Sequence, residues 1–166
     1  MSKTFAERAR GIILTNRYLT MATTDGHNAW AAPLAYVTEN TFGLLYYSAL
    51  EARHTRSISS NATVACAIYD STASSDDVDG VQLLGQVREL DKDELEHAVP
   101  YYFERSFLDP AVRQRWQRPI EDFFQPAPQR FYRITLTQLF VIDFDSPKID
   151  RRVEVPLSEL VTHVPR

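Results

Sequence analysis

Four strand-like segments crowd into the first 70 residues of this chain, and their spacing limits the folds that it can adopt. They run from Tyr18 to Thr23, Ala29 to Val37, Phe42 to Ser48 and Ala62 to Tyr69. A parallel connection needs a crossover of about a dozen residues or more, usually a helix. The first two gaps are far shorter, and the third holds one short helical segment, Glu51 to Ser60. The sequence therefore predicts antiparallel strands rather than a parallel α/β sheet.

Two later strands and several helices complete the predicted fold. The strands are Val81 to Leu90 and Phe131 to Phe144, and helices are expected from Thr4 to Thr15 and at residues 92–105. Between them, Ser106 to Pro128 reads as short helices and irregular chain. Six strands with helices between and after them indicate a mainly β fold, a closed or nearly closed six-stranded antiparallel barrel with peripheral helices.

Composition and charge exclude several classes of protein. The chain has 166 residues, 44% of them hydrophobic, which suits one domain over residues 1–166 with a real core. Its net charge of -4, without a long basic run, argues against nucleic-acid binding. No apolar run approaches the roughly 20 residues that span a bilayer, so we expect a cytoplasmic protein with no membrane partner.

Cysteine usage removes two further possibilities. Cys66 is the only cysteine, and it lies within the apolar run from Thr63 to Ile68. It is predicted to be a buried strand residue, with no disulfide and no cysteine-based zinc site. We expect no metal site in this chain.

The clearest functional signal is a strand end followed by the start of a basic helix. Tyr47 and Ser48 end an apolar strand, and Arg53 and His54 follow at the beginning of the next helix. Cations in the first turn of a helix oppose the macrodipole, which favours negative charge there. A bound phosphate would compensate for them. The alternative is that Glu51 neutralises this end and the basic side chains point into water.

The second predicted strand has one almost bare face. Ala29, Ala31, Pro33, Ala35 and Val37 alternate along it and therefore share that face. Small side chains let a planar group lie against the backbone, and Pro33, which lacks an N–H, implies a locally unpaired strand. The alternative is that another sheet or helix packs closely there.

Together these residues resemble the FMN-binding split barrels related to pyridoxamine 5'-phosphate oxidase. The resemblance covers roughly residues 5–105. It is strongest at residues 47–54, Tyr-Ser-Ala-Leu-Glu-Ala-Arg-His, which are followed by Asn61. A weaker similarity lies at residues 130–134. It implies a split β-barrel in which Ser48, Arg53 and His54, next to Tyr47, hold the FMN phosphate. The isoalloxazine and ribityl chain are implied to contact Gln82 and the run Ala32, Pro33, Leu34 and Ala35.

The resemblance also implies a homodimer with the flavin site at its interface. The implied activity is an oxidoreductase that acts through the flavin on a small-molecule substrate, with reduced nicotinamide or another electron donor. Two alternatives stay open, a relative that binds deazaflavin or haem and a non-catalytic flavin-binding protein. No residue is assigned a catalytic role.

Departures from the oxidase pattern argue against a true pyridoxamine phosphate oxidase. His54 stands where lysine is usual, Val37 stands where a lysine contacts phosphate and substrate, and residues 141–152 lack the Arg-x-His pair that grips the substrate. Tyr101 and Arg105 do resemble the tyrosine and arginine that bind substrate phosphate, and with His97 they share one helix face. The alternative for these three residues is an ordinary helix surface.

Overall fold

The structure is a computed structural model that describes residues 3–161. Its strands form one antiparallel sheet in the order β2-β1-β5-β6-β7-β4-β3, with β8 paired to β7. The strands are β1 (Tyr18–Thr24), β2 (Ala29–Ala35), β3 (Val37–Thr38), β4 (Leu44–Ala49), β5 (Thr63–Tyr69), β6 (Gly80–Glu89), β7 (Gln129–Ile142) and β8 (Arg152–Glu154). The mainly β, antiparallel prediction is confirmed.

Helices lie around the sheet, as predicted. They are α1 (Phe5–Thr15), α2 (Arg53–Ser60), α3 (Lys92–Ser106), α4 (Pro110–Trp116) and α5 (Leu157–Val161), with a 3-10 turn at Ile120–Phe123. Within residues 3–161, none of the helices has both the length and the apolar character needed to cross a membrane.

Two helices begin with the capping boxes that their sequences encode. The Thr4 hydroxyl accepts a hydrogen bond from the Glu7 N–H, and the Glu7 carboxylate accepts one from the Thr4 N–H. Asp91 and Glu94 form the same reciprocal pair at the start of α3. Each box satisfies two N–H groups that the helix leaves unpaired, which fixes where the helix begins.

Within residues 3–161 the sheet has eight strands rather than the six predicted, because one predicted strand is divided and a short strand was not predicted. The predicted strand from Ala29 to Val37 is interrupted at Tyr36, whose N–H donates to Arg17 O and whose hydroxyl donates to Ile13 O at 2.6 Å. The bond to Arg17 extends the register of β1 with β2 by one residue, and the next residue, Val37, pairs with Leu45 of β4 instead. The short β8 follows a chain reversal after β7 and has no distinct apolar pattern of its own.

The interruption at Tyr36 produces the split in the barrel. β2 and β3 are almost continuous in sequence, yet they lie at opposite ends of the strand order. β3 pairs with β4 at Leu44 and Leu45 alone, and in the described chain β2 has β1 as its only partner. The free edge of β2 and the free edge of β4 beyond Leu45 therefore face an opening without sheet pairing. The position of Pro33 in an edge strand fits its missing N–H.

The core consists of two hydrophobic clusters, one on each face of β4. Leu44 and Tyr46 point into the barrel, where Cys66 also lies, as predicted. Burial raises the pKa of the Cys66 thiol to about 12, so it stays protonated and unreactive. Leu45 points to the opposite face and packs with Phe131 under α3. The helices on this second face form the wall beside the site described below.

Gly85 marks a close approach between β6 and β7 and gives a direct stability test. A Cβ there would lie 2.6 Å from Ile134 Cγ2 and 2.9 Å from the Thr135 carbonyl oxygen, whereas a Cβ on Gly11 in α1 would meet nothing within 4 Å. We expect Gly85→Ala to destabilise the fold by about 1–3 kcal/mol. The matched Gly11→Ala should stabilise it by about 0.5–1 kcal/mol. Urea unfolding of both variants measures the difference, and equal effects would contradict the close packing.

Candidate functional site

The predicted phosphate residues meet at the start of α2. Ser48 Oγ and His54 Nε2 are hydrogen-bonded at 2.8 Å, and His54 is only 8% exposed. Desolvation by burial lowers the pKa of His54 below its ordinary value, so the imidazole is neutral near pH 7. An anion placed against this pair would favour the charged imidazolium and raise that pKa.

Arg53 lies on the outer side of the same helix start. Its guanidinium carbon is 4.6 Å from the centre of the Trp30 ring, a cation–π contact between two exposed side chains. Asp25 and Arg56 line the polar cavity beside it. The pKa of Asp25 is lowered, chiefly by the Asn28 N–H and least by Arg53. The structure thus places Arg53 next to the Ser48–His54 pair in sequence but on a different side of the helix.

The beginning of α2 has free capacity for an anion. Its N-cap residue, Ala52, has no side chain that could cap the helix, and the first turn contains no acidic residue. Glu51, the alternative neutralising group, instead forms a long 3.4 Å pair with Arg56. The first-turn N–H groups of the helix therefore have no side-chain acceptor at their cap, and the macrodipole attracts negative charge there.

The bare face of β2 is open to solvent in this chain. Ala31, Pro33 and Ala35 are exposed, so the alternative of a helix or sheet packed on this face is not found within the described residues. Ala32 is buried, and Leu34 packs against the core of the barrel. A ligand lying along this strand can contact the side chains of Pro33 and Ala35. It can reach Ala32 and Leu34 only through their backbone atoms.

A cleft of ≈ 750 Å³ opens at the other end of the split, between α1, the β2–β3 junction, β4, α3 and α4. We call it the aromatic cleft. Its walls are mainly aromatic and hydroxyl-bearing, with three charged side chains. The main lining residues are Arg17, Tyr18, Ala35, Val37, Tyr47, Tyr101, Tyr102, Glu104, Arg105, Phe107 and Trp116.

The structure brings the predicted substrate residues into this cleft. The Tyr101 hydroxyl donates to the Thr38 carbonyl at 3.1 Å, and the Arg105 guanidinium lies 4.7 Å from the centre of the Tyr101 ring. The tyrosine hydroxyl is therefore engaged with β3, while Arg105 is exposed. His97 also contacts the Tyr101 ring, with 5.6 Å between ring centres, and does not line the cleft.

Tyr47 and Ser48 divide the site into two halves. Successive residues of a strand point to opposite faces, and Tyr47 packs among Tyr102, Phe123 and Phe131 on the α3 side. Ser48 points toward α2. A ligand that contacts both halves must therefore cross the unpaired edge of β4, within the opening between β2 and β4.

Gln82 lies far from the rest of the predicted set. The registers place Pro33 opposite Thr20, Thr20 opposite Ala67 and Ala67 opposite Gln82. Three strand spacings separate Pro33 from Gln82, on the order of 14 Å along the outer sheet face. The exposed Gln82 side chain therefore does not join the same cleft within one chain.

The outer face that carries Gln82 has an unusual composition. Over β2, β1, β5 and residues 80–86 of β6, the part paired with β5, it presents sixteen residues without a single charge, although 24% of the whole chain is charged. They are Ala29, Ala31, Pro33, Ala35, Tyr18, Thr20, Ala22, Thr24, Thr63, Ala65, Ala67, Tyr69, Gly80, Gln82, Leu84 and Gln86. The next outward residue of β6 is the charged Arg88, which limits the surface on that side. We call this surface the uncharged sheet face. A broad uncharged surface of this kind is typical of a protein interface.

Sequence reasoning missed three residues that the structure brings to the site. Trp30 contacts Arg53, and Arg17 and Trp116 line the aromatic cleft. Trp116 belongs to the stretch from Ser106 to Pro128, whose enrichment in aromatic residues and arginine could have indicated a binding site. Arg17 directly precedes a strand, and nothing in its local sequence indicates a site. Among residues 3–161, no group of three or more His, Cys, Asp and Glu side chains is arranged to hold a metal ion.

The buried His54 predicts a specific dependence of stability on pH. Because its pKa is lowered in the folded protein, the unfolded chain binds more protons below the ordinary value of about 6.5. Stability is therefore expected to fall as pH decreases through 6.5. His54→Gln should lose less stability than wild type between pH 7.5 and 5.5 in urea unfolding. His27→Gln, at an exposed turn residue, serves as the control, and identical pH profiles for wild type and His54→Gln would contradict the burial.

Comparison with known proteins connects this geometry to a family. Residues 5–141 match the family model described as pyridoxamine 5'-phosphate oxidase. No curated protein matches the chain.

Solved structures share the fold at low sequence identity. A haem-binding protein from Mycobacterium smegmatis is 17% identical with a TM-score of 0.72; the match covers 97% of this chain and 61% of that one. The haem storage protein HutZ from Vibrio cholerae is 18% identical with a TM-score of 0.60, over 80% and 90% of the two chains. An FAD-binding protein from Mesorhizobium loti is 18% identical with a TM-score of 0.59, over 82% and 92%. These likenesses establish a common architecture.

Proposed function

Because the chain belongs to the pyridoxamine 5'-phosphate oxidase family, we propose that it binds FMN and acts as an oxidoreductase on a small molecule through the bound flavin. One observation carries the proposal. The uncapped start of α2, with Ser48 and His54 on one side and Arg53 on the other, lies at the open end of the split between β2 and β4. Helix N–H groups and adjacent cations are the features that hold a phosphate monoester.

The residues present fit FMN along the length of the opening. The phosphate is assigned to Ser48, Arg53 and His54. Pro33 and Ala35 on the exposed face of β2 would lie along the ribityl chain and ring, and Tyr47 would form a wall at the aromatic cleft. This assignment uses the backbone rather than the side chains of Ala32 and Leu34, which point toward the core.

FMN, when bound, supplies hydride or electron transfer, and the protein supplies binding, orientation and exclusion of water. Small side chains on β2 allow close approach to the backbone, and the aromatic wall around Tyr47 excludes water from one side. None of the described residues that line the cleft is assigned as a general acid or base. A reduced nicotinamide or another small donor is the expected source of electrons.

We propose a homodimer because one chain alone does not bring Gln82 to the proposed flavin site. Gln82 is too far along the uncharged sheet face to reach a flavin held by its own Ser48 and Arg53. Pairing this face with a second copy would bury it and bring Gln82 of the partner subunit toward the flavin. Two-fold pairing of the same surface is the commonest form of oligomer.

Haem and deazaflavin are the competing ligands, and the structure favours a flavin over haem. Within the described part of the chain, no His, Cys or Met side chain lines the aromatic cleft, so tyrosine is the only usual axial haem ligand available there. A phosphate-bearing flavin also accounts for the cations at α2. A non-catalytic flavin-binding protein would use the same site.

The visible spectrum of the purified protein tests the proposal. It should have flavin absorbance, and the protein after removal of ligand should bind FMN more tightly than haem or deazaflavin. Oxidation of reduced nicotinamide by the FMN-loaded protein separates an enzyme from a binder. Pyridoxine and pyridoxamine 5'-phosphate should not be oxidised at a significant rate, because Val37 cannot pair with a phosphate. Preferential binding of haem, or no FMN binding at all, would overturn the proposal.

A further inference from the structure

A column of three nearly parallel rings leads from the core to the aromatic cleft. Phe103 is 1% exposed, and its ring lies 6.3 Å from that of Phe107 at an interplanar angle of 12°. The ring of Trp116 continues the column at 6.3 Å and 6°. Trp116 ends it with 56% of its surface exposed. A planar molecule in the cleft would add a further ring to this column by offset stacking.

The helix that carries Trp116 contributes no buried side chain to the hydrophobic core. α4 contains no buried residue, and the neighbouring Leu108 is 84% exposed. Large exposed apolar side chains beside a cavity are typical of a binding site. The volume of the cleft, ≈ 750 Å³, falls within the range of small-molecule pockets.

The charges of the cleft favour a single negative charge. Its charged lining residues are Arg17, Arg105 and Glu104, two cations against one anion, a net charge of +1 in a chain whose net charge is -4. Arg17 Nη2 donates to the Ser106 carbonyl at 3.2 Å. This bond holds the guanidinium at the mouth of the cleft and leaves it further N–H donors. Val37, buried at the inner end, offers no partner to a phosphate dianion.

We propose that the aromatic cleft binds a planar aromatic monoanion, with its ring stacked on Trp116 and its carboxylate on Arg17. Arg105 lies at the same cleft and adds positive charge. The inference rests on the proposed function where it takes this molecule as the substrate of the flavin. Binding itself requires no flavin and is measured without it.

The test uses the whole chain without flavin and three probes that share a carbon skeleton of eleven atoms. These are 2-naphthoate, the neutral 2-naphthamide and the non-aromatic decahydro-2-naphthoate, titrated by calorimetry. Trp30→Phe leaves Trp116 as the sole tryptophan of the two in the chain, so quenching of its fluorescence reports on the cleft. We expect naphthoate to bind about tenfold or more tightly than either other probe, since it alone has both an aromatic ring and a charge.

Two variants separate the contributions of the ring and the charge. Arg17→Gln should weaken naphthoate about tenfold and leave naphthamide unchanged. Trp116→Leu should weaken both aromatic probes by a factor of about 2–10. Arg115→Gln, one residue from Trp116 but outside the cleft lining, is the control and should change nothing. Arg105→Gln provides a second test of the charge, in the same direction as Arg17→Gln.

Three outcomes would overturn the inference. Equal affinity for naphthoate and naphthamide would show that the charge of the carboxylate does not contribute to binding. A loss in Arg115→Gln as large as in Arg17→Gln would indicate non-specific attraction. Stoichiometric displacement of naphthoate by FMN would identify the cleft as the place of the flavin ring itself. Failure of FMN binding alongside selective naphthoate binding would reject the proposed function and leave this inference standing.

Discussion

Replacement of Arg53 by Ala is expected to weaken FMN binding by a factor of about ten to one hundred. A hydrogen bond to a charged group contributes about 1.5–3 kcal/mol, and Arg53 is the exposed cation at the uncapped start of α2. Riboflavin lacks the phosphate, so its affinity should change little. Quenching of flavin fluorescence, titrated with both compounds, measures the two effects on the same protein.

Controls make this result specific to the phosphate. Arg115→Ala removes an exposed arginine on α4, away from α2, and should leave FMN affinity unchanged. His54→Ala should also weaken FMN, and more strongly at low pH. Burial lowers the pKa of His54 in the free protein, and a bound phosphate would raise it again. The contribution of His54 to FMN binding is therefore full below that lowered pKa and fades as pH rises through the pKa of the complex. Equal losses for FMN and riboflavin in Arg53→Ala would place the phosphate elsewhere.

A single carboxylate on the uncharged sheet face is expected to dissociate the proposed dimer. Ala65 is exposed near the middle of this face, opposite Ala22 on β1 and Leu84 on β6. In a two-fold dimer Ala65→Glu would bury two unpaired charges, each costing about 3–5 kcal/mol. The dimer dissociation constant should therefore rise by a factor of well over one hundred. Sedimentation velocity over a series of protein concentrations, for wild type and variant alike, measures the change.

The same variant links assembly to the cofactor. If Gln82 of the partner subunit completes the flavin site, the Ala65→Glu monomer should lose FMN affinity although the variant residue is not among the phosphate ligands. Ala111→Glu, the same substitution at an exposed position on α4, should remain dimeric and bind FMN normally. A wild-type protein that is monomeric with flavin bound would contradict both the dimer and the shared site.

Local chemistry in the sequence determined most of the fold. Alternating apolar residues identified the long strands, because inward and outward side chains alternate along a strand. Thr4 with Glu7 marked the first residue of α1, because a capping box is complete within four residues of chain. The apolar run around Cys66 predicted its burial for the same local reason.

The sequence could not reveal where the barrel splits. The apolar pattern from Ala29 to Val37 is continuous, yet the chain changes its partner after Tyr36. The Tyr36 N–H still donates to Arg17 O next to β1, whereas Val37 pairs with Leu45 of β4. The pattern of apolar residues has no signal for this change, because it depends on segments elsewhere in the chain. The tertiary structure alone assigns β2 and β3 to opposite ends of the sheet.

The residues of the candidate site form two groups in the same way, those that are close together in the sequence and those that only the folded structure brings together. Ser48, Arg53 and His54 are neighbours in sequence, so a local motif could suggest that they act together, and the helix start at Arg53 supports this. Arg17, Arg105 and Trp116 come from three distant segments that meet only when α3 and α4 pack beside the end of α1. Short-range side-chain chemistry is visible in a sequence. The meeting of distant segments depends on packing between elements, and only the folded structure decides it.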